Sequence, residues 1–142
     1  VGPLLAGKLG MSFIDTDDAV KRFDGRELRR IVEEDGYEVF LDIQNKAIMS
    51  LELDNSVIAT GGSVVKSDDL MCYLKRFGKI VYLRYDIDIL ERRLSSERKL
   101  ARVEGQSFKQ LFEEREPLYR KYAAIIIDCT GKTPEEIVKE IC

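Results

Sequence analysis

Four short apolar runs alternate along the chain with longer segments of helical periodicity, and this alternation limits the fold more than any other feature of the sequence. The predicted strands lie at residues 12–14, 56–60, 80–84 and 125–129. Strands separated by helices are typical of a parallel sheet, because the crossover between parallel strands is long and usually helical. Helices then cover both faces of the sheet. The sequence therefore predicts a three-layer α/β domain over residues 1–142.

The predicted helices carry apolar residues at three- and four-residue spacing between capping signals. They lie at residues 16–23, 26–34, 37–53, 68–76, 87–94, 107–122 and 134–141. Thr16 and Thr133 are predicted N-caps. The chain opens without Met, and residues 1–10 read as the body of a helix that ends at Gly10. A strand should precede such a helix in this type of domain, so we expect the sequence to start inside a longer protein.

Composition excludes several classes of protein. The chain contains no His, which rules out a histidine base, a histidine zinc site and a Ser-His-Asp triad. The formal net charge of -3 argues against a general nucleic-acid binder. No run approaches about 18 apolar residues, so no membrane span is predicted. The three cysteines show no metal-binding spacing, which indicates a reduced, cytoplasmic protein.

Four residues that suit ligand binding fall where two predicted strands end. Asp15 and Asp17 follow the first strand, and Gly61 and Gly62 follow the second. Ligands bind beyond the carboxyl ends of parallel strands, so we expect one shared site. Two carboxylates at this spacing can hold a metal ion and a hydroxyl, and a Gly-Gly pair lets a ligand approach the backbone closely. The alternatives are that the carboxylates only favour the dipole of the next helix and that the glycines form an ordinary turn.

Three segments in this order resemble the shikimate kinase family, whose members are small nucleoside-triphosphate-dependent kinases of metabolites. The segments are Phe-Ile-Asp-Thr-Asp at 13–17, Ala-Thr-Gly-Gly at 59–62 and Arg-Glu-Pro-Leu-Tyr at 115–119. The resemblance implies a nucleoside-kinase-like P-loop fold and the Mg²⁺-dependent transfer of phosphate from ATP to a small hydroxylated acid. The expected acceptor is shikimate, which becomes shikimate 3-phosphate on the route through chorismate to the aromatic amino acids.

The resemblance also implies roles for the residues of the site. Asp15 would hold magnesium through water. Asp17 would accept a hydrogen bond from the acceptor hydroxyl and act as its catalytic base. The backbone N–H groups of Gly61 and Gly62 would contact the substrate, and Arg115 would pair with the substrate carboxylate, whose geometry suits a guanidinium fork. For Arg115, the alternative is a surface ion pair with one of the two glutamates before it.

Residues 95–106 are polar, charged and non-periodic, and the resemblance makes them a lid that closes over the nucleotide. Arg98 in this lid would contact the phosphates and act in catalysis, with Arg102 as a competitor for the role. Lys132 stands at a basic position that packs near the adenine. The alternatives are a solvated charged loop and a solvated lysine. With ATP, Mg²⁺ and a small acceptor as ligands, we expect a monomer that binds neither nucleic acid nor membrane.

The chain departs from the family pattern in the acceptor pocket. The family's Gly-Glu-x-x-Phe-Arg-x-x-Glu is Gly-Tyr-Glu-Val-Phe-Leu-Asp-Ile-Gln at residues 36–44, so Leu41 replaces a substrate-binding Arg and Gln44 replaces the final Glu. Ser63 replaces the third residue of a Gly-Gly-Gly run. Two alternatives therefore stay open. One is a kinase of another acceptor, such as a sugar acid or a nucleoside monophosphate, and the other is a binding module without catalysis.

The phosphate-loop motif Gly-x-x-x-x-Gly-Lys-Ser/Thr does not occur in the sequence. Gly7-Lys8 does not match it, because Leu9 stands at the Ser/Thr position. The resemblance implies that this loop lies immediately before Val1 in the intact protein. We therefore expect residues 1–142 to form a single kinase domain that lacks its first strand and phosphate loop.

Overall fold

The computed structural model describes residues 1–90 and 107–142, which form helices alternating with short strands. The helices and strands are α1 Gly2–Leu9, β1 Ser12–Asp15, α2 Thr16–Asp24, α3 Leu28–Asp35, α4 Tyr37–Met49, β2 Ser56–Ala59, a 3-10 helix Gly62–Lys66, α5 Asp68–Lys75, β3 Val81–Arg84, α6 Phe108–Tyr122, β4 Ile125–Asp128 and α7 Pro134–Ile141. Residues 87–90 are also helical. The rest of predicted helix 87–94, and the lid residues 95–106 with Arg98, lie outside the described residues.

All strand pairing in the described ranges is parallel, as the alternation predicts. β1 pairs with β2, and β3 pairs with β4. In the first pair the register joins Ser12 to Ser56 and Asp15 to Ala59, so the two strands end side by side. In the second pair Arg84 lies opposite Asp128. Each crossover contains helices, so the predicted α/β architecture with parallel strands flanked by helices is confirmed.

Helix α4 is fixed between two buried clusters. On one side Phe40 and Ala47 pack with Val20 and Ile31 of the helices before it. On the other side Ile48 joins a larger cluster with Leu53, Val64, Val65, Leu70, Met71, Leu74 and Tyr122. Burial of each large apolar side chain contributes about 1.5–3 kcal/mol. Since Phe40 and Ile48 are both fully buried, α4 is a rigid support for side chains that reach the site.

The observed helix ends show which sequence signals predicted the helix boundaries correctly. Gly10 takes a left-handed conformation with φ 67° at the end of α1, as its C-cap role predicts. The Thr133 side chain accepts a hydrogen bond from the Glu136 N–H and caps α7, also as predicted. Helix α4, in contrast, ends at Met49 and not at residue 53. Leu53 is buried although it lies in an irregular segment after the helix, so the apolar pattern of the sequence extends beyond the helix end.

In residues 1–90 and 107–142, no helix has both the length and the apolar character that crossing a bilayer requires.

Candidate active site

The register of β1 and β2 brings Asp17 next to Gly61. Asp15 and Ala59 are the last paired residues, so the two following segments leave the sheet together. The Thr16 Oγ1 accepts a hydrogen bond from the Gly61 N–H at 3.3 Å. A Cβ atom added to Gly61 would lie 2.6 Å from Asp17 Oδ1. The acidic pair and the glycine pair therefore meet at one place, as the ends of the predicted strands imply.

Asp15 caps helix α2. Its Oδ1 accepts a hydrogen bond from the Asp17 N–H at 2.9 Å, and its backbone is extended, with φ -100° and ψ 118°. The prediction that Thr16 is the cap was therefore wrong, because Thr16 is the first helical residue and its hydroxyl binds the Gly61 loop instead. A cap of this kind contributes about 1 kcal/mol. Capping thus accounts for Asp15 in part, whereas the Asp17 carboxylate extends to Gly61.

Residues 61 and 62 are glycines because a Cβ atom would clash with neighbouring side chains, and not because the backbone conformation requires glycine. Gly61 has φ -69°, which any residue can adopt, and Gly62 does not have a positive φ. A Cβ atom on Gly62 would lie 2.5 Å from the Tyr119 Oη and 3.2 Å from Arg115 Nη1. The Tyr119 hydroxyl donates a hydrogen bond to the Gly62 carbonyl at 3.1 Å. The loop therefore lies close to the Asp17 carboxylate at Gly61 and to the Arg115 guanidinium at Gly62.

Arg115 lies in helix α6 and is only 3% exposed. Its Nη2 donates a hydrogen bond to the Tyr37 hydroxyl at 2.8 Å. Burial raises the pKa of the Tyr119 hydroxyl, and the neighbouring Arg115 guanidinium opposes that rise. Because Arg115 is buried beside Gly62, a solvent-exposed ion pair does not describe its environment. A buried guanidinium at this position can bind an anion.

The two departures from the family pattern at Gln44 and Ser63 are in contact with each other. The Ser63 hydroxyl donates a hydrogen bond to Gln44 Oε1 at 2.7 Å. Both side chains are buried, Gln44 at 1% and Ser63 at 4% exposed. Ser63 is therefore hydrogen-bonded to helix α4, and its buried side chain is held in one position by this contact.

Lys132 stands apart from this group. It follows β4, and its Nζ pairs with Glu140 of α7 at 2.6 Å, which raises the pKa of the lysine. Within the described ranges, its contacts join it to α7 and to the end of β4, not to the Gly61 loop. Its predicted place near the adenine stays a prediction. So does the role of Arg98, which lies outside the described residues.

A magnesium site built from protein ligands alone is not found in the residues that the structure describes. They hold no group of three or more Asp, Glu, His or Cys side chains suited to a metal ion. Mg²⁺ in phosphate-transfer sites usually keeps several waters and takes one or two carboxylates together with substrate phosphates. The Asp15 carboxylate, at the end of β1 with its Oδ1 oriented by the Asp17 N–H, fits that donor set.

Three residues of the site were missed from the sequence: Tyr37, Tyr119 and Thr16. Tyr119 follows Arg115 by four positions on a predicted helix, so the two had to share a face, and this spacing could have found it. Thr16 was assigned to capping because threonine is a common cap. Tyr37 has no local signal for contact with Arg115, since 78 residues separate the two.

Replacement of Gly61 by Ala should misplace the Asp17 carboxylate. The new Cβ would lie 2.6 Å from Oδ1, so the carboxylate must shift. A displacement of about 1 Å at a reacting group can cost about 100-fold in rate, so we expect kcat to fall by about 10- to 100-fold. The control is Gly7→Ala in α1, where a Cβ meets nothing within 4 Å. This variant should keep kcat, so an equal loss in both variants would contradict the assignment.

Solved structures with the same fold are shikimate kinases. The crystal structure of shikimate kinase from Aquifex aeolicus matches with a TM-score of 0.81 and 29% identity, over 99% of this chain and 84% of that one. Shikimate kinase from Acinetobacter baumannii in complex with shikimate matches with a TM-score of 0.82 and 27% identity, over 99% and 81%. The fold and the site define a small-molecule kinase of the nucleoside-kinase-like P-loop class.

Sequence comparison identifies the family. The family model described as shikimate kinase matches residues 1–142. The shikimate kinase of Thermodesulfovibrio yellowstonii is 38% identical over 99% of this chain and 84% of its own length. That of Caldanaerobacter subterraneus subsp. tengcongensis is 36% identical over 99% and 85%. The chain belongs to the shikimate kinase family.

Proposed function

We propose that the protein transfers the terminal phosphate of ATP to a hydroxyl of a small hydroxylated acid, with shikimate as the leading acceptor. Family membership supports the reaction class. The observation that carries the proposal is the placement of the Asp17 carboxylate beside Gly61 and of the Arg115 guanidinium beside the next residue, Gly62. An alcohol that carries an acid group needs a base for its hydroxyl and a cation for its acid group, and Asp17 and Arg115 offer these two groups beside adjacent glycines.

Each residue of the site then has a definite task. Asp17 accepts a hydrogen bond from the attacking hydroxyl and takes its proton as phosphate is transferred. Asp15 would hold Mg²⁺, and the ion would supply neutralisation of charge on the phosphate oxygens. Arg115 binds the acid group of the acceptor, next to Gly62. Contacts of Arg98 with the nucleotide phosphates and of Lys132 with the adenine are proposed from the resemblance alone.

A coupled assay for ADP with the full-length protein tests this proposal. ATP, Mg²⁺ and a panel of acceptors would be supplied: shikimate, gluconate-type sugar acids and nucleoside monophosphates. We expect the highest kcat/KM for shikimate. Turnover of another compound far above shikimate would overturn the choice of acceptor, and no acceptor-dependent ADP formation with any of them would overturn the kinase assignment.

A second candidate is a kinase of a different acceptor, and Leu41 is the observation that favours it. Leu41 is half-buried against the cluster of Val20, Ile31, Phe40 and Ala47, in the position where the family pattern has a substrate-binding Arg. A leucine cannot form the charge-assisted contact that an Arg makes with a carboxylate. The acceptor of this chain would then carry less negative charge or an apolar group at that end.

Leu41→Arg separates the two candidates. If the acceptor is shikimate, the new guanidinium should lower its KM by about 10-fold or more, because a hydrogen bond to a charged group contributes about 1.5–3 kcal/mol. The control is Val39→Arg, which adds the same charge to an exposed position of α4. Steady-state kinetics with shikimate measure the effect. No change, or a loss of affinity confined to Leu41→Arg, would favour a pocket shaped for another acceptor.

A further inference from the structure

Helix α4 presents three neutral side chains along one face. Tyr37, Leu41 and Gln44 are spaced at i, i+4 and i+7, which places them above one another on the helix. The pattern Gly-Glu-x-x-Phe-Arg-x-x-Glu would put Glu, Arg and Glu at the same three positions. These three residues therefore carry no charge, whereas Arg115, which Tyr37 contacts, is retained. We call these three residues the neutral α4 face.

The first residue of the neutral α4 face contacts the guanidinium of the site. Arg115 Nη2 donates to the Tyr37 hydroxyl at 2.8 Å, and Arg115 Nη1 lies against Gly62. Arg115 is nearly fully buried, so its orientation depends on protein contacts and not on solvent. A neutral phenol oxygen orients the guanidinium without adding negative charge beside it. A carboxylate in its place would compete with an incoming anion for the same cation.

The Tyr37 ring is itself held in place. It packs beside the Phe40 ring, with ring centroids 6.2 Å apart, and against the cluster beneath α2, α3 and α4. Tyr37 is also the first residue of α4, directly after Gly36. A hydrogen-bonding group on a packed ring at a helix end has little freedom to move. Its hydroxyl therefore offers Arg115 a fixed partner, as a preorganised binding site requires.

The last residue of the neutral α4 face, Gln44, contacts the segment that follows the glycine pair. Gln44 accepts the hydrogen bond of the Ser63 hydroxyl at 2.7 Å, and Ser63 directly follows Gly62. The same helix thus contacts both the glycine loop and the guanidinium. Between these two contacts lies Leu41, which offers no polar atom. One helix face therefore contacts both Ser63, next to the glycine pair, and Arg115.

We propose that Tyr37 is a positioning residue that aims the Arg115 guanidinium at the anionic group of the acceptor, and that the neutral α4 face, which adds no second cation, selects an acceptor whose anionic group binds Arg115. The inference rests on the proposed function, since it assigns the same site an acceptor with a single anionic group.

The test compares Tyr37→Phe with the parent full-length protein in steady-state kinetics and inhibition. Loss of one hydrogen bond to a charged group should raise the KM for shikimate about 3- to 10-fold, with kcat and the KM for ATP unchanged within about twofold. Shikimate methyl ester lacks the anion, so its inhibition constant should not change. The control is Tyr73→Phe in α5, whose hydroxyl bonds the Met49 carbonyl away from the site. It should keep all the parent constants.

Each outcome decides the inference. A shikimate KM that Tyr37→Phe leaves within about twofold of the parent would overturn it. An equal loss for shikimate and for its methyl ester would also overturn it, because a general disturbance of the pocket does not depend on the anion. If the parent protein turns over no shikimate, the proposed acceptor fails and this inference fails with it. Turnover of shikimate by the parent protein therefore distinguishes failure of the proposed acceptor from failure of the role proposed for Tyr37.

Discussion

Asp17→Asn should reduce kcat by about 10²–10⁴-fold and leave the fold intact. Asparagine keeps the shape of the side chain but cannot take a proton, and general bases contribute factors of this size. The Asp17 carboxylate lies against Gly61, and the helix that carries it is capped by Asp15 and not by Asp17 itself. Removing its charge therefore leaves the capping contact in place. Initial rates with saturating ATP and acceptor measure the loss.

The matched control for this variant is Asp18→Asn. Asp18 is the next residue of the same helix and is exposed, so the substitution makes the same change of charge without touching the Gly61 loop. We expect its kcat to stay within about twofold of the parent. Near-normal turnover of Asp17→Asn, or a matching loss in Asp18→Asn, would remove Asp17 from the role of base.

Arg115→Met should raise the KM for an acidic acceptor by about 10- to 100-fold. Methionine has a similar length and suits an apolar environment, but it donates no hydrogen bond, and a bond to a charged group contributes about 1.5–3 kcal/mol. Arg115 is 3% exposed and lies against Gly62, so the substitution removes a buried cation from the site. The KM for ATP should change little, because the proposed contact is with the acceptor. Titrations of each substrate at saturation of the other measure the two constants.

Arg120→Met on the same helix is the control for Arg115. Arg120 pairs with Glu116, and its side chain is 49% exposed. The same change of residue there should leave both KM values at the parent level. If Arg115→Met raises the KM for ATP as much as that for the acceptor, Arg115 does not bind the acceptor specifically.

The sequence was a good guide to the fold where the decisive signals were local. The glycine at the end of α1 and the Thr-Pro start of α7 are caps made by neighbouring residues, and both were found. The strand ends were also found to within one residue, because the apolar runs stop at polar or turn residues. Parallel pairing then follows from the helical crossovers, which is why Asp15, Asp17, Gly61 and Gly62 could be assigned to one site.

The contacts across the site could not be predicted, because they depend on packing between distant segments. The sequence shows Ser63 and Gln44 only as two separate departures from a pattern, whereas the structure joins them through a hydrogen bond. Tyr37 was given no role, since its partner Arg115 lies on a helix far along the chain. The reason for glycine at 61 and 62 could not be predicted either, because it is the approach of the Asp17 and Tyr119 side chains.

The central claim is that the Asp17 carboxylate and the Arg115 guanidinium hold one acceptor between them for phosphate transfer. Its most direct measurement is ³¹P NMR of the full-length protein with ATP, Mg²⁺ and shikimate. We predict that the terminal phosphate signal of ATP is replaced by a phosphomonoester of shikimate. With Asp17→Asn or Arg115→Met, this ester should form far more slowly at shikimate concentrations below the parent KM. Release of inorganic phosphate without ester, or ester formation at the parent rate in both variants, would contradict the claim.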